Sequence, residues 1–328
     1  MHYFSYNSSL DDICNSVLNV SLYGSLDSLN YRTEGKLRYK VAKTLGRRKE
    51  IHANYPIGFL YWGISEYLKV KDSKSDLNGL INNLIMYFDS NDQLNYDIEV
   101  VDQVPIGCCF INLYLLTSNI KYKVAADKIA AYLLKRFNED RILYRSQQSV
   151  QLVDTLGMVV PFLCMYSELV GDVQFRNIAS TVFKDFESVA VLSNKIPAHG
   201  FHIHTNCLLG SSNWGRGLGW YLLAKGYLHD MELDMFNLLS KISYVQFPFQ
   251  DYSMKDSSVA LLCEYYKVLA DNTYVPQYGS LYSYIRSNGL IDFCSGDTIG
   301  FNQYASHYGL GGLSNGLFLL LLSKCKTL

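Results

Sequence analysis

Apolar residues recur at helical spacing along almost the whole chain. The pattern predicts helices over residues 9–23, 34–46, 54–70, 75–89, 104–117, 120–137, 148–169, 172–189, 216–230, 232–243, 256–270, 275–287 and 309–324. Strand-like alternation is scarce. A stretch such as Ile196–Ile203 is expected to pair locally without building a sheet. Two helix pairs share one plan. Gly107–Leu116 is apolar nearly all round, turns at Thr117-Ser118-Asn119, and is followed by a Tyr122–Phe137 segment with a single apolar stripe. Leu156–Leu169, the Gly171-Asp172 turn and Phe175–Val189 repeat the plan. A helix that is apolar on every side belongs inside, and one with a stripe belongs outside. Alternating inner and outer helices predict an all-α, double-layered helical barrel. An irregular helical solenoid is the weaker alternative, because the repeats are not self-similar.

No Pro/Gly/Ser-rich tract or charge block divides the sequence, so residues 1–328 are read as a single domain. Two long segments break the helical period, Ser193–Asn213 and Asn288–His307. Both mix Gly, His, Asn and Ser with aromatic residues, which suits ordered loops at a barrel mouth. Nearly half the residues are apolar (49%) and 18% are charged, which excludes a disordered chain. The 29 Lys and Arg nearly cancel the 30 Asp and Glu, leaving none of the basic surplus that phosphate neutralisation needs. No nucleic-acid partner is therefore expected. The longest unbroken apolar run, Leu317–Leu322, is too short to span a membrane, and residues 1–10 lack a signal-like pattern. None of the eight Cys forms a C-x-x-C pair, and most lie in apolar helical patterns. They read as reduced core thiols of a cytoplasmic protein. The 27 Tyr against 3 Trp suit an interior with polar edges, such as a lined groove.

Against this background a few positions carry chemistry. Asp154 opens the otherwise apolar run Gln151–Pro161, and Gly157 is expected to leave open space on its helical face. A carboxyl group there suits a proton donor, and equally an acid favoured by the helix dipole. Asp102, with Pro105 just behind it, is a second carboxylate at a helix start or a plain cap. Among His199, His202 and His204 no i, i+4 helical pair and no nearby Cys or Glu completes a zinc pattern, so no metal is expected. His199, beside Gly200, is the preferred ligand contact. Arg216 lies between glycines and two tryptophans, Trp214 and Trp220. Three Gly in five residues suit either close approach of a ligand or tight helix packing. Trp faces stack on sugars, and the Arg fork matches a carboxylate. Trp62 also sits beside a Gly. Asp256 is a candidate cap, and Asp297 a turn carboxylate in the second long loop. No G-x-x-x-x-G-K pattern is present, which excludes a nucleotide P-loop.

The ordered set Tyr61-Trp62-Gly63, Asp102 with Gly107, Asp154–Phe162, Gly171-Asp172, His199-Gly200-Phe201, Trp214–Trp220 and Cys294–Gly300 resembles the unsaturated glucuronyl and rhamnogalacturonyl hydrolases, glycoside hydrolase families 88 and 105. The likeness spans about residues 55–322. It implies an (α/α)6 six-hairpin barrel that acts on an oligosaccharide without metal or cofactor. It implies Asp154 as general acid/base and Asp102 as the second acid. It further implies His199 and Arg216 as sugar and carboxylate contacts, and Trp62, Trp214 and Trp220 as stacking walls. Two positions depart from the family pattern. His202 stands where Asp is common, and Leu218 where Asn is common. The departures leave a second reading open, a non-catalytic or divergent accessory protein of capsular or exopolysaccharide biosynthesis that binds a glycan in the same cleft. A sugar epimerase would need a His pair, for which only His199 and His307 are available.

Overall fold

The apolar segment expected at 54–70 starts where the sequence says it should. Asn54 caps Tyr55–Leu68 by accepting from the Ile57 N–H, and Pro56 supplies a preset first-turn φ. The computed structural model describes residues 9–24, 26, 29, 53–145, 149–193, 195–210, 214–230, 256–276, 278–296, 301 and 308–325. Its helices are α1 (Leu10–Tyr23), α2 (Tyr55–Leu68), α3 (Lys74–Leu84), α4 (Ile106–Thr117), α5 (Ile120–Arg136), α6 (Val153–Val170), α7 (Val173–Ala190), α8 (Gly215–Tyr227), α9 (Ser257–Ala270), the single-turn α10 (Tyr278–Leu281) and α11 (Gly312–Lys324). The strands are β1 (Val150–Leu152), β2 (Gly200–His202), β3 (Leu208–Leu209), β4 (Cys294–Ser295) and β5 (Tyr308–Gly309).

Among the described residues, six helices close a ring. α2 packs on α4, α4 on α6, α6 on α8, α8 on α9, α9 on α11, and α11 returns to α2. These are the segments that are apolar all round, and they are buried along most of their length. The striped helices α3, α5 and α7 pack outside α2, α4 and α6. This is the inner and outer layering of an (α/α)6 barrel. α6 has the length and apolarity of a membrane span, but most of it is buried inside the ring.

The inner helices run parallel, because their starts touch one another. Gly58 meets Pro105, Gly312 meets the Pro56 carbonyl, Gly217 meets Val153, and Arg216 reaches Asp256. The opposite ends also meet: Glu66 accepts from Asn112 and from Lys324. The first residues of all six helices therefore surround one mouth.

Close backbone approach sets the α2–α11 contact. A Cβ on Gly63 would lie 2.1 Å from the Gly316 carbonyl oxygen, which is backbone and cannot rotate away. Gly63→Ala is expected to cost about 1–3 kcal/mol by forcing the two helices apart. Urea unfolding of the variant checks this.

The structure departs from the predicted boundaries at three places. The 148–169 helix begins at Val153, because Val150–Leu152 pairs antiparallel with Gly200–His202, and Gly200-Phe201 pairs on with Leu208-Leu209. Ile196–Ile203 thus contributes to a small three-stranded sheet, where only local pairing was expected. The 275–287 helix shrinks to α10 and one 3-10 turn at Tyr282–Tyr284. There the chain reverses at Gly289, φ +77°, and Arg286 bonds forward to Asp292. Residues 75–89 form α3 and a 3-10 turn at Ile85–Tyr87. The expected helices at 34–46 and 232–243 lie outside the described residues.

Candidate active site

Asp154 lies in the first turn of α6, 16% exposed, at the mouth of the ring. The β1 strand feeds this turn, and the Val153 N–H donates to the His199 carbonyl. That bond docks the loop after α7 onto the start of α6. It brings His199 Nε2 to 3.7 Å from Asp154 Oδ2. Burial pulls the His199 imidazole down to about 4, so the ring is neutral at pH 7. Its faces meet aromatic rings: Trp214 at 4.3 Å between centroids and Phe301 at 5.0 Å, nearly edge-on. Trp214 keeps part of its surface in solvent.

Asp102 sits in the 3-10 turn Val101–Gln103 just before α4 and is buried. The Tyr144 hydroxyl donates a very short hydrogen bond to Asp102 Oδ1. The Tyr144 phenol is held far above its ordinary value, first by burial and then by the negative charges of Asp102 and Asp154. Tyr144 was missed in the sequence, where one tyrosine among 27 gives no signal. Tyr55 was missed as well. It opens α2, accepts from Arg216 Nη1 at 3.4 Å, and adds its own electrostatic effect on Tyr144.

Arg216 is placed differently from what the resemblance implied. It is 3% exposed, and its guanidinium is consumed inside the protein. Nη2 donates to Asp256 Oδ2 at 3.0 Å and to Ser295, Nε to Ser258 Oγ at 3.1 Å, and Nη1 to the Gly296 carbonyl at 3.2 Å. Asp256 is indeed the cap of α9, accepting from the Ser258 N–H, and it also accepts from Ser295 Oγ at 2.5 Å. A buried carboxylate already answers this fork. Arg216 therefore ties α8, α9 and β4 together.

Two of the three tryptophans need the same correction. Trp62 is fully buried against Phe59 and Tyr227, and Trp220 is buried against Phe59 and Tyr55. Neither has a face for a sugar. For Trp220 a glycine explains why: a Cβ on Gly157 would lie 2.5 Å from its ring. The space expected beside Asp154 is filled by indole. Gly219 likewise admits Leu262. Leu218 is buried. His202 ends β2 half-buried, its Nδ1 accepting from the His204 N–H, with the two rings 5.5 Å apart. Asp297 and His307 lie outside the described residues.

The mouth thus gathers two carboxyl groups, a phenol bonded to one of them, a neutral imidazole beside the other, and a partly exposed indole. Paired acids at the edge of a cleft are the equipment of glycoside hydrolysis. Comparison with known proteins agrees. The model of glycosyl hydrolase family 88 matches residues 6–237. The chain belongs to that family and is a glycoside hydrolase. It is similar in structure to a family 105 glycoside hydrolase from C. acetobutylicum, at 17% identity and TM-score 0.70, covering 90% of this chain and all of that one. It is also similar to a possible family 105 member from Klebsiella pneumoniae, at 12% identity and TM-score 0.74, covering 99% and 94%. An unsaturated glucuronyl hydrolase from a Bacillus species, responsible for degradation of glycosaminoglycan, aligns at 14% identity and TM-score 0.65, covering 95% and 94%. No curated protein sequence matches the chain.

Proposed function

We propose that the protein removes a 4,5-unsaturated uronosyl unit from the end of an oligosaccharide, with Asp154 as general acid and base. The observation that carries the reading is Asp154 itself, a partly exposed carboxyl group 3.7 Å from a neutral imidazole, with the bonded Asp102 sharing its mouth. Asp154 delivers its proton to C4 of the C4=C5 double bond. The carboxylate then takes a proton from water as that water adds to C5. The product at C5 is a hemiketal. It opens to the ketone, the ring oxygen stays on C1 as a hydroxyl, and C1 expels the remaining saccharide as it becomes an aldehyde. One water is consumed, and Asp154 ends as it began. Asp102, fixed by Tyr144, orients the water and sugar hydroxyls. His199, neutral, offers a hydrogen bond without competing for the acid's proton. Trp214 supplies the stacking face. The eight free thiols support action in a reducing, cytoplasmic setting.

The test uses the double bond as reporter. The protein is expected to bleach the ultraviolet absorbance of unsaturated uronosyl disaccharides and to leave their saturated counterparts intact. Absence of bleaching across unsaturated glucuronyl and galacturonyl disaccharides rejects the reading. One observation favours the accessory alternative: the internal bonding of Arg216 to Asp256 leaves that cation unavailable to a uronate. A glycan-induced change in Trp214 fluorescence without product would support that alternative.

A further inference from the structure

At the end of the barrel away from the mouth, the inner helices finish and the outer helices α3, α5 and α7 begin. The turns there hold aliphatic side chains out in water. Val70 follows α2, Leu115 and Ile120 flank the α4–α5 turn, Val173 opens α7, and Val275 follows α9. Among the described residues, six Val, Leu and Ile side chains are more than half exposed, and these are five of them. Single exposed aliphatics need no explanation, but their collection on one end of a molecule marks a surface that something covers.

The charges on this end are divided between two sides. Beside α2 and α11, two ammonium groups share one carboxylate: Glu66 lies 3.2 Å from Lys69 and 2.8 Å from Lys324. Lys71 is matched by Asp76 and Lys121 by Asp92, while Lys74 and Asp72 cancel, so a positive charge is left over. Beside α8 the ratio is reversed. Lys225 alone serves Glu187 at 3.5 Å and Asp230 at 3.2 Å. Glu168 is matched by Arg176. Asp172 and Asp271 accept from the Gln174 and Thr273 N–H groups and form no ion pair among the described residues. That side keeps a negative surplus.

A face with opposite charges on its two halves is complementary to itself. In the ring α2–α4–α6–α8–α9–α11, α8 stands opposite α2. Consider a two-fold axis in the plane of this end, perpendicular to the line from α2 to α8. It lays α2 of one copy over α8 of the other, α11 over α9, and α4 over α6. The positive surplus beside α2 then meets the negative surplus beside α8. Lys324 meets Asp271, and Leu115 and Ile120 meet Val173. We propose that this end is the interface of a symmetric homodimer, covered by a second copy of the chain. Six helices packed about 10 Å apart form a ring about 30 Å across, whose end offers about 700 Å² before the outer helices are added. A standard interface takes about 800 Å² from each partner. The two mouths face outward, and the proposal does not depend on the reaction performed there.

Sedimentation of the full chain over a range of concentrations is the test. It is expected to show a species of twice the 37.4 kDa chain, which added salt weakens. Ile120→Asp brings an acid to the Asp172 turn of the second copy, and Val173→Lys brings a base to the Lys121 turn. Each substitution enters a two-fold interface twice, so each variant alone is expected to raise the dimer dissociation constant about a hundredfold. Both side chains are exposed, so the circular dichroism of either variant should match the wild type. An equimolar mixture of the two variants is expected to recover the dimer. One Asp–Lys contact and one unaltered contact then replace two repelling ones. A wild type that sediments as a single chain at every concentration overturns the proposal. So does a dimer indifferent to both variants, which must use another face. A mixture that stays monomeric overturns it as well, because it denies the pairing of α4 with α6.

Discussion

Asp154→Asn is expected to lower kcat on unsaturated disaccharides by about a thousandfold, within the range that a positioned general acid and base contributes. The amide is the same size as the carboxyl group. It keeps the first turn of α6 and its packing, and loses only the proton that C4 receives in the proposed reaction. In the proposed reaction the loss belongs in kcat, because Asp154 would make its decisive contact in the transition state and the ground state would be held by its neighbours. The fold should hardly register the change. The side chain is partly exposed at a helix start and its replacement is polar and of equal size, so a change within about 1 kcal/mol is expected. Two measurements check this together: initial rates from the C4=C5 absorbance, and urea midpoints of the same samples. Unchanged turnover removes Asp154 from the mechanism. A collapse of stability alongside activity assigns it to the fold.

The scaffold was legible in the sequence to an unusual depth, for a physical reason. Helices of a two-layered barrel bury either all of their surface or one stripe, and both patterns repeat every 3.6 residues. The boundaries of α2, α4, α5 and α7 accordingly fall within about two residues of the spacing that predicts them. Three-residue strands offer no comparable period, so β1 was read as the first turn of α6. The site was legible only in part. Asp154, His199 and Trp214 stand at loop-to-helix junctions and do meet at the mouth. Trp62 and Trp220 failed because a tryptophan beside a glycine carries two opposite meanings. The glycine can admit a ligand, or it can admit the indole of a neighbouring helix, as Gly157 admits Trp220. Spacing cannot separate the two. Tyr144 and the Asp256 partner of Arg216 are likewise products of ring closure. Each lies about 40 residues from the group it bonds, and local pattern carries no information across that distance.

That Arg216–Asp256 pair gives the other large expectation. Arg216→Met is expected to destabilise the protein by about 3–5 kcal/mol, because it leaves the Asp256 carboxylate buried with its counter-charge gone. Ser258 and Ser295 continue to donate to that carboxylate, but neutral hydroxyls do not replace a guanidinium in a low-dielectric interior. Adding Asp256→Asn to Arg216→Met should recover much of the loss, since the double variant buries no lone charge. A double-mutant cycle by urea unfolding measures the coupling. The experiment also separates the two roles open to this arginine. A substrate-binding arginine would, when replaced, raise KM and leave the unfolding midpoint in place. An arginine that holds α8, α9 and β4 together does the reverse: the midpoint falls, and KM of the surviving folded fraction changes little. A single variant with intact stability and a KM raised on uronate substrates alone would return Arg216 to the substrate and require Asp256 to release it on binding.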